Sequence, residues 1–273
     1  MKANATRTPL RTMIPRTALI LFAAALVISW FWLTPPGALG KADAVGYAVC
    51  HRIPLRSFFL GDRALPLCAR CSGMYLGALM GFLYYLRVPG KSGLPPRRLL
   101  AVFGLFLLAF AFDGANSYLQ LFPNFFGVYE PQNWLRLLTG TSVGLGMAAV
   151  LVPVVRQSLY THSDPGPALN TWRQMLVYVA MGLLVDAVLL TENPLLLYPL
   201  ALLSSVTVLI ILGFVYSVLW ATILRQENRF PTLRSAWVLL LAGFTTALLQ
   251  ISAMDALRFL ITGTWEGFTI PIG

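Results

Sequence analysis

The stretch Leu195–Leu224, LLLYPLALLSSVTVLIILGFVYSVLWATIL, runs for thirty residues without an Asp, Glu, Lys or Arg. Roughly 20 apolar residues in a helix cross the hydrocarbon of a bilayer. This stretch is long enough to cross with tilt or with an internal break. The rest of the chain has the same character. Of 273 residues, 58% are hydrophobic and 11% charged, with a mean hydropathy of +0.73. Soluble domains carry about 25% charged residues. The reading is an all-α fold, a polytopic transmembrane helical bundle in a single membrane domain.

Working outward from that stretch gives about seven apolar runs. They are Thr17–Leu33, a run from near Cys71 to Leu86, Leu99 to about Leu121, Trp134–Val155, Met175–Leu190, Leu195–Leu224 and Ala236 to about Leu257. Pro- and Gly-rich breaks separate them, among them TPPGALG, VPGKSGLPP, SDPGP and NRFPT. The first run has a basic start, and Ala42-Asp43-Ala44 resembles a cleavage site, but the gap after Leu33 is long for a signal peptide. A retained helix is expected.

Loop charge sets the orientation. Lys2, Arg7, Arg11 and Arg16 precede the first helix. Arg87, Lys91, Arg97 and Arg98 follow the second, Arg156 and Arg173 bracket the loop after the fourth, and Arg225, Arg229 and Arg234 follow the sixth. With seven helices these segments share one side, the cytoplasm. The N-terminus is then cytoplasmic and the C-terminus outside. The formal charge of +10 is thereby spent on topology, which argues against nucleic acid as a partner. One outer segment departs from the bias, since Lys41, Arg52, Arg56, Arg63 and Arg70 lie in or beside it. Arginines kept there suggest an anionic ligand or lipid headgroups.

That basic outer segment also holds every cysteine: CHRIPLRSFFLGDRALPLCARCSGMYLG, Cys50 to Gly77. Cys68 and Cys71 form a C-x-x-C turn, and Cys50 and His51 complete a Cys₃His set suited to a tetrahedral zinc ion. Neighbouring side chains diverge, so one of Cys50 and His51 is expected to ligate without the other. Three ligands would leave an open position, as catalysis requires. The alternatives are a redox pair, Cys68 and Cys71 at a helix N-terminus with Cys50 resolving, or a structural disulfide. Ser72 after the second Cys argues against c-type haem attachment.

Ionisable groups inside spanning helices are costly and usually face a bundle interior. Asp113, Asn116 and Gln120 share one helix face; Asn133 and Arg136 open the fourth helix; Asp186, Asp255 and Arg258 lie late in theirs. All fall in the outer half, on the side of the cysteines. Asp113 with Arg136, or Asp255 with Arg258, are candidate buried ion pairs. Gly73, Gly77 and Gly81 repeat every fourth residue, as do Gly140 and Gly144, a pattern of close helix packing. Trp30, Trp32, Tyr75, Trp134 and Trp265 suggest interface belts.

The segments CHRIPLRSFF and LPLCARCSGMYLG, Asp113-Gly114, and NWLRLLTG from Asn133 to Gly140 together resemble a family of prokaryotic membrane proteins, domain of unknown function 2085. The resemblance covers residues 46–152. It implies that Cys50, His51, Arg56, Ser57, Cys68, Arg70, Cys71, Gly73, Tyr75, Gly77, Asp113, Gly114, Asn133, Arg136, Thr139 and Gly140 belong to the family's pattern. It implies no reaction. The chain divides on this reading into a basic tail (1–16), a family-like membrane region (17–156) with an outer Cys/His loop (35–70), and further helices of the same bundle (157–273).

Three functional readings follow. In the first, zinc at Cys50, His51, Cys68 and Cys71 acts on a lipid or lipid-linked anionic substrate, with Asp113 as general base and Arg56, Arg70, Asn133 and Arg136 binding it. In the second, Cys68 and Cys71 form a membrane thiol–disulfide oxidoreductase. In the third, zinc is a structural staple in a non-enzymatic transporter, assembly factor or sensor.

Overall fold

The computed structural model describes residues 15–120 and 127–267. Most of the basic N-terminal tail, and the expected end of the third helix at Leu121, lie outside the described residues. Eight α-helices run in order among the described residues: α1 Arg16–Leu33, α2 Gly37–Val49, α3 Ala69–Leu86, α4 Arg97–Leu119, α5 Asn133–Leu159, α6 Trp172–Leu190, α7 Pro194–Ile223 and α8 Trp237–Thr262. Six of them (α1, α4, α5, α6, α7 and α8 with its preceding turn) are long and apolar enough to cross a membrane. The chain is an all-α polytopic bundle.

All seven expected helices are present, and α2 is an eighth, inside the segment read as an outer loop. Pro35 and Pro36 stop α1 and restart the chain, with Pro36 as the N-cap of α2. Lys41 reaches back from α2 to the carbonyls of Phe31 and Thr34 at the end of α1, the latter at 3.0 Å. A cation there suits the negative end of the helix dipole. Ala42 to Tyr47 are buried against α7 and α8, and Ser205 of α7 donates to the Ala42 carbonyl at 3.3 Å.

The axis of the bundle is the α3–α5 pair. Its glycines face the partner backbone: a Cβ on Gly73 would meet the Leu137 carbonyl, on Gly77 that of Thr141, on Gly140 that of Arg70, and on Gly144 that of Met74. Small residues of this kind let membrane helices touch along their backbones. α4 and α6 flank this pair, and α7 links it to α8, which carries α1 and α2. α3 is therefore wrapped by α5, α6 and α7 and need not be as apolar as a lipid-facing helix.

The helices share two ends. The N-termini of α3 and α5 and the C-termini of α2, α4 and α8 meet at one end, which holds all three cysteines. The other end carries Arg156, whose guanidinium donates to the carbonyls of Tyr85 (2.8 Å), Val88 (3.0 Å) and Lys91 (2.6 Å) and so caps α3. Short parallel strands β3 (Lys91–Gly93) and β4 (Asp164–Pro167) close that end. At the cysteine end a hairpin pairs β1 (Phe59–Leu60) with β2 (Arg63–Ala64).

Candidate functional site: three thiols beside an arginine cluster

Cys50 follows the last residue of α2, Cys68 is the N-cap of α3, and Cys71 lies in the first turn of α3. Their three sulfur atoms lie within 4.8 Å of one another and are unbridged. Two features bring Cys50 to Cys68 across 18 residues of sequence. Gly46 lets the Pro66 carbonyl approach α2 where any side chain would collide with it. Leu67, fully buried, then pins the strand that leads into α3.

Backbone N–H groups converge on the Cys50 sulfur. Arg52 and Cys68 each donate to it at 3.4 Å. Arg52 reaches it by adopting the left-handed region, φ +52°, which few non-glycine residues occupy. Hydrogen bonds from the Cys68 thiol, then from Cys71, hold the Cys50 thiol well below its usual range. Cys68, the donor to that thiolate, is pushed up to about 12. The Cys50 sulfur is thus the one that two thiols and two amides favour as thiolate, beside the positive end of the α3 dipole.

His51 stands apart. The turn at Arg52 directs it outward: it is exposed, and its imidazole does not join the three sulfurs. Its carbonyl, with those of Tyr47 and Cys50, accepts from Arg258 at 3.2, 2.7 and 2.7 Å. Arg258 also lies 4.1 Å over the Tyr47 ring. The expected Asp255–Arg258 pairing is thus not the main contact of either residue. Asp255 accepts from the indole of Trp30 at 3.3 Å, which buries Trp30 rather than leaving it in an interface belt.

A second polar cluster adjoins the thiols. Asp113 is 1% exposed, and both of its oxygens are taken. Arg70 pairs with one, and Tyr129 donates to the other at 2.6 Å. The partner of Asp113 is therefore Arg70, not Arg136. Desolvation and then the Asp113 hydrogen bond push Tyr129 up to about 12, so its phenol keeps the proton. Arg56 donates to the Ser117 carbonyl at 2.9 Å and Arg70 to the Ser117 hydroxyl at 3.3 Å. Arg136 donates to Asn133 at 2.8 Å, and Asn133 reaches the Ser57 carbonyl at 3.4 Å. Asn116 fastens the Tyr129 loop through Val128 N–H (2.7 Å) and the Tyr129 carbonyl (2.9 Å). Arg56 and Arg136 both act electrostatically on Cys68, which joins the two clusters.

Asp186 does not reach this cluster; it accepts from Thr141 at 2.5 Å between α5 and α6. Sequence reading missed Ser117, Tyr129, Gly46 and Asp43. Asp43 is the buried partner of Arg52 (2.7 Å) and Arg63. Its place in α2, a helix the hydropathy pattern does not reveal, hid it.

The family described as "Predicted membrane protein (DUF2085)" matches residues 50–150. An uncharacterised protein of Methanothermobacter thermautotrophicus is 37% identical over 108 residues, which are 40% of this chain and 87% of that protein. The chain belongs to the DUF2085 family. Another uncharacterised protein, from Methanocaldococcus jannaschii, is 29% identical over 119 residues, 43% of this chain and 70% of its own length. No solved structure matches. The DUF2085 match opens on Cys50 and holds both clusters, whereas α6, α7 and α8 lie beyond it.

Proposed function

We propose that this integral membrane protein binds one Zn²⁺ through the thiolates of Cys50, Cys68 and Cys71, with a non-protein ligand at the fourth position. The observation that carries the reading is the convergence of three sulfurs from two separate segments within 4.8 Å. Thiolates on one tetrahedral zinc sit roughly 3.8 Å apart, given Zn–S bonds near 2.3 Å, so small rotamer changes suffice. Three thiolates with an amide-lined rim suit zinc rather than hard oxygen-seeking ions. Zinc bound there polarises an oxygen atom at its fourth position.

The chain's own residues define what reaches that position. Arg56 and Arg136 act electrostatically on Cys68 and favour an anionic ligand. Asp113 accepts from Arg70 and Tyr129, one on each oxygen, and in this reading its part is to hold both in place. The basic opposite end, with Arg87, Arg97, Arg98, Arg156, Arg173, Arg225, Arg229 and Arg234, supports a cytoplasmic location for that end. The cysteine end then faces outward.

The test is elemental analysis of the detergent-purified chain. About one zinc per chain is expected, falling to background in Cys68→Ser and in Cys50→Ser. Cobalt substitution should give thiolate-to-metal charge-transfer bands of a tetrahedral site. Isolation of the native chain with a Cys68–Cys71 disulfide and no metal would overturn the reading in favour of redox chemistry.

A further inference from the structure

We infer that Arg56, Arg70 and Arg136 form a binding site for a phosphate group, carried either on a lipid headgroup or as the free anion. The site stands on these three guanidinium groups and rests on the reading above that Arg56 and Arg136 favour an anion, though not on the metal itself.

Charge accounting makes the argument. The ten Asp and Glu side chains of the chain all lie within the described residues. Of these, Asp113 alone pairs with the cluster, through Arg70. Among the described residues Arg56 and Arg136 form no ion pair. Three cations share one carboxylate in a half-buried place, an excess of positive charge that Cys68, when ionised, offsets in part. Arg136 is 7% exposed, and its Nε has no hydrogen-bond partner; nor has that of Arg70. A buried guanidinium without its countercharge is destabilising. An anion that accepts from those donors removes the cost.

The three side chains come from three elements: the turn Pro54–Arg56, the first turn of α3 and the first turn of α5. Ser117 holds the first two together and Asn133 steers the third. Burial, and then the charge of Arg70, lower the proton affinity of Arg56, and Cys68 and Asp113 offset this only in part. A carboxylate offers two oxygens, enough for one planar fork. A phosphate offers up to four and a charge near −2, which matches several forks and the excess charge. Lysine is absent from the cluster, consistent with bidentate recognition.

The experiment follows the melting midpoint of the full chain in neutral detergent. One titration uses inorganic phosphate and another short-chain phosphatidic acid, with short-chain phosphatidylcholine as a control. A saturable rise in wild type is expected with at least one of the first two. Arg136→Gln and Arg56→Gln should each weaken that response roughly tenfold, the worth of a charged hydrogen bond or two. Arg229→Gln at the opposite end should respond as wild type does. A response to phosphatidic acid alone assigns the site to a headgroup, and an equal response to inorganic phosphate assigns it to the free ion. The absence of any response, or responses unchanged in both arginine variants, overturns the inference. Should Arg136→Gln fail to fold, Arg56→Gln, whose side chain is less buried, carries the test. Zinc is measured on the same samples. A zinc-free wild type that still binds phosphate sinks the metal reading alone, and a zinc-loaded one that ignores phosphate sinks this inference alone.

Discussion

At the scale of single residues, the three thiols and the arginines beside them are held by different partners. His51→Ala should keep its full zinc content, because the exposed His51 is not part of the three-sulfur group; loss of zinc in that variant would overturn the three-thiolate assignment. Asp113→Asn should lower the unfolding free energy in detergent by about 3 kcal/mol, since Arg70 would be left buried without its countercharge. Adding Arg70→Met should recover much of that loss, and unfolding midpoints of the single and double variants measure the difference. The thiols were legible in sequence because every cysteine lies in one short segment, and chemistry restricts what three sulfurs together can do. The partner of Asp113 was not legible. Arg70 and Arg136 both lie near in the fold, and only the rotation of α3 about its axis decides between them. Tyr129 gave no signal at all, since an aromatic in a loop is ordinary until its hydroxyl is seen on a carboxylate.

At the scale of elements, hydropathy found seven helices, and their ends mostly fall within a few residues of those observed. It passed over α2 for physical reasons. Its 13 residues are too few to cross a bilayer, and Lys41 and Asp43 interrupt the apolar run. Burial inside the bundle, not contact with lipid, is what makes it a helix. The glycine repeats, by contrast, were informative, because a four-residue spacing places them on one face whatever the tertiary context. Gly77→Val should push α3 from α5 and reduce both accumulation and the melting midpoint. Gly104→Ala, with nothing within 4 Å of the added carbon, should leave both unchanged. Comparison of the two by fluorescence-detected gel filtration checks that the penalty comes from helix contact and not from loss of glycine as such.

At the scale of the whole molecule, the two ends differ in what they carry: sulfur and clustered arginine at one, helix-capping and solvent-facing bases at the other. If the cysteine end faces outward, Glu130→Cys should react with a membrane-impermeant maleimide in intact cells, while Arg229→Cys should react only after permeabilisation. The reverse pattern would invert the topology and place the thiols in a reducing compartment. The sheathed position of α3 carries a consequence for biogenesis. Among the described residues α3 is not one of the six helices long and apolar enough to cross a membrane, and its glycine face is matched to the backbone of α5. A nascent chain that stops before α5 offers it no glycine-faced partner. The segment that bears two of the three sulfurs is expected to settle against its partner once residues beyond Gly144 have been synthesised, and the three thiols to converge after that rendezvous.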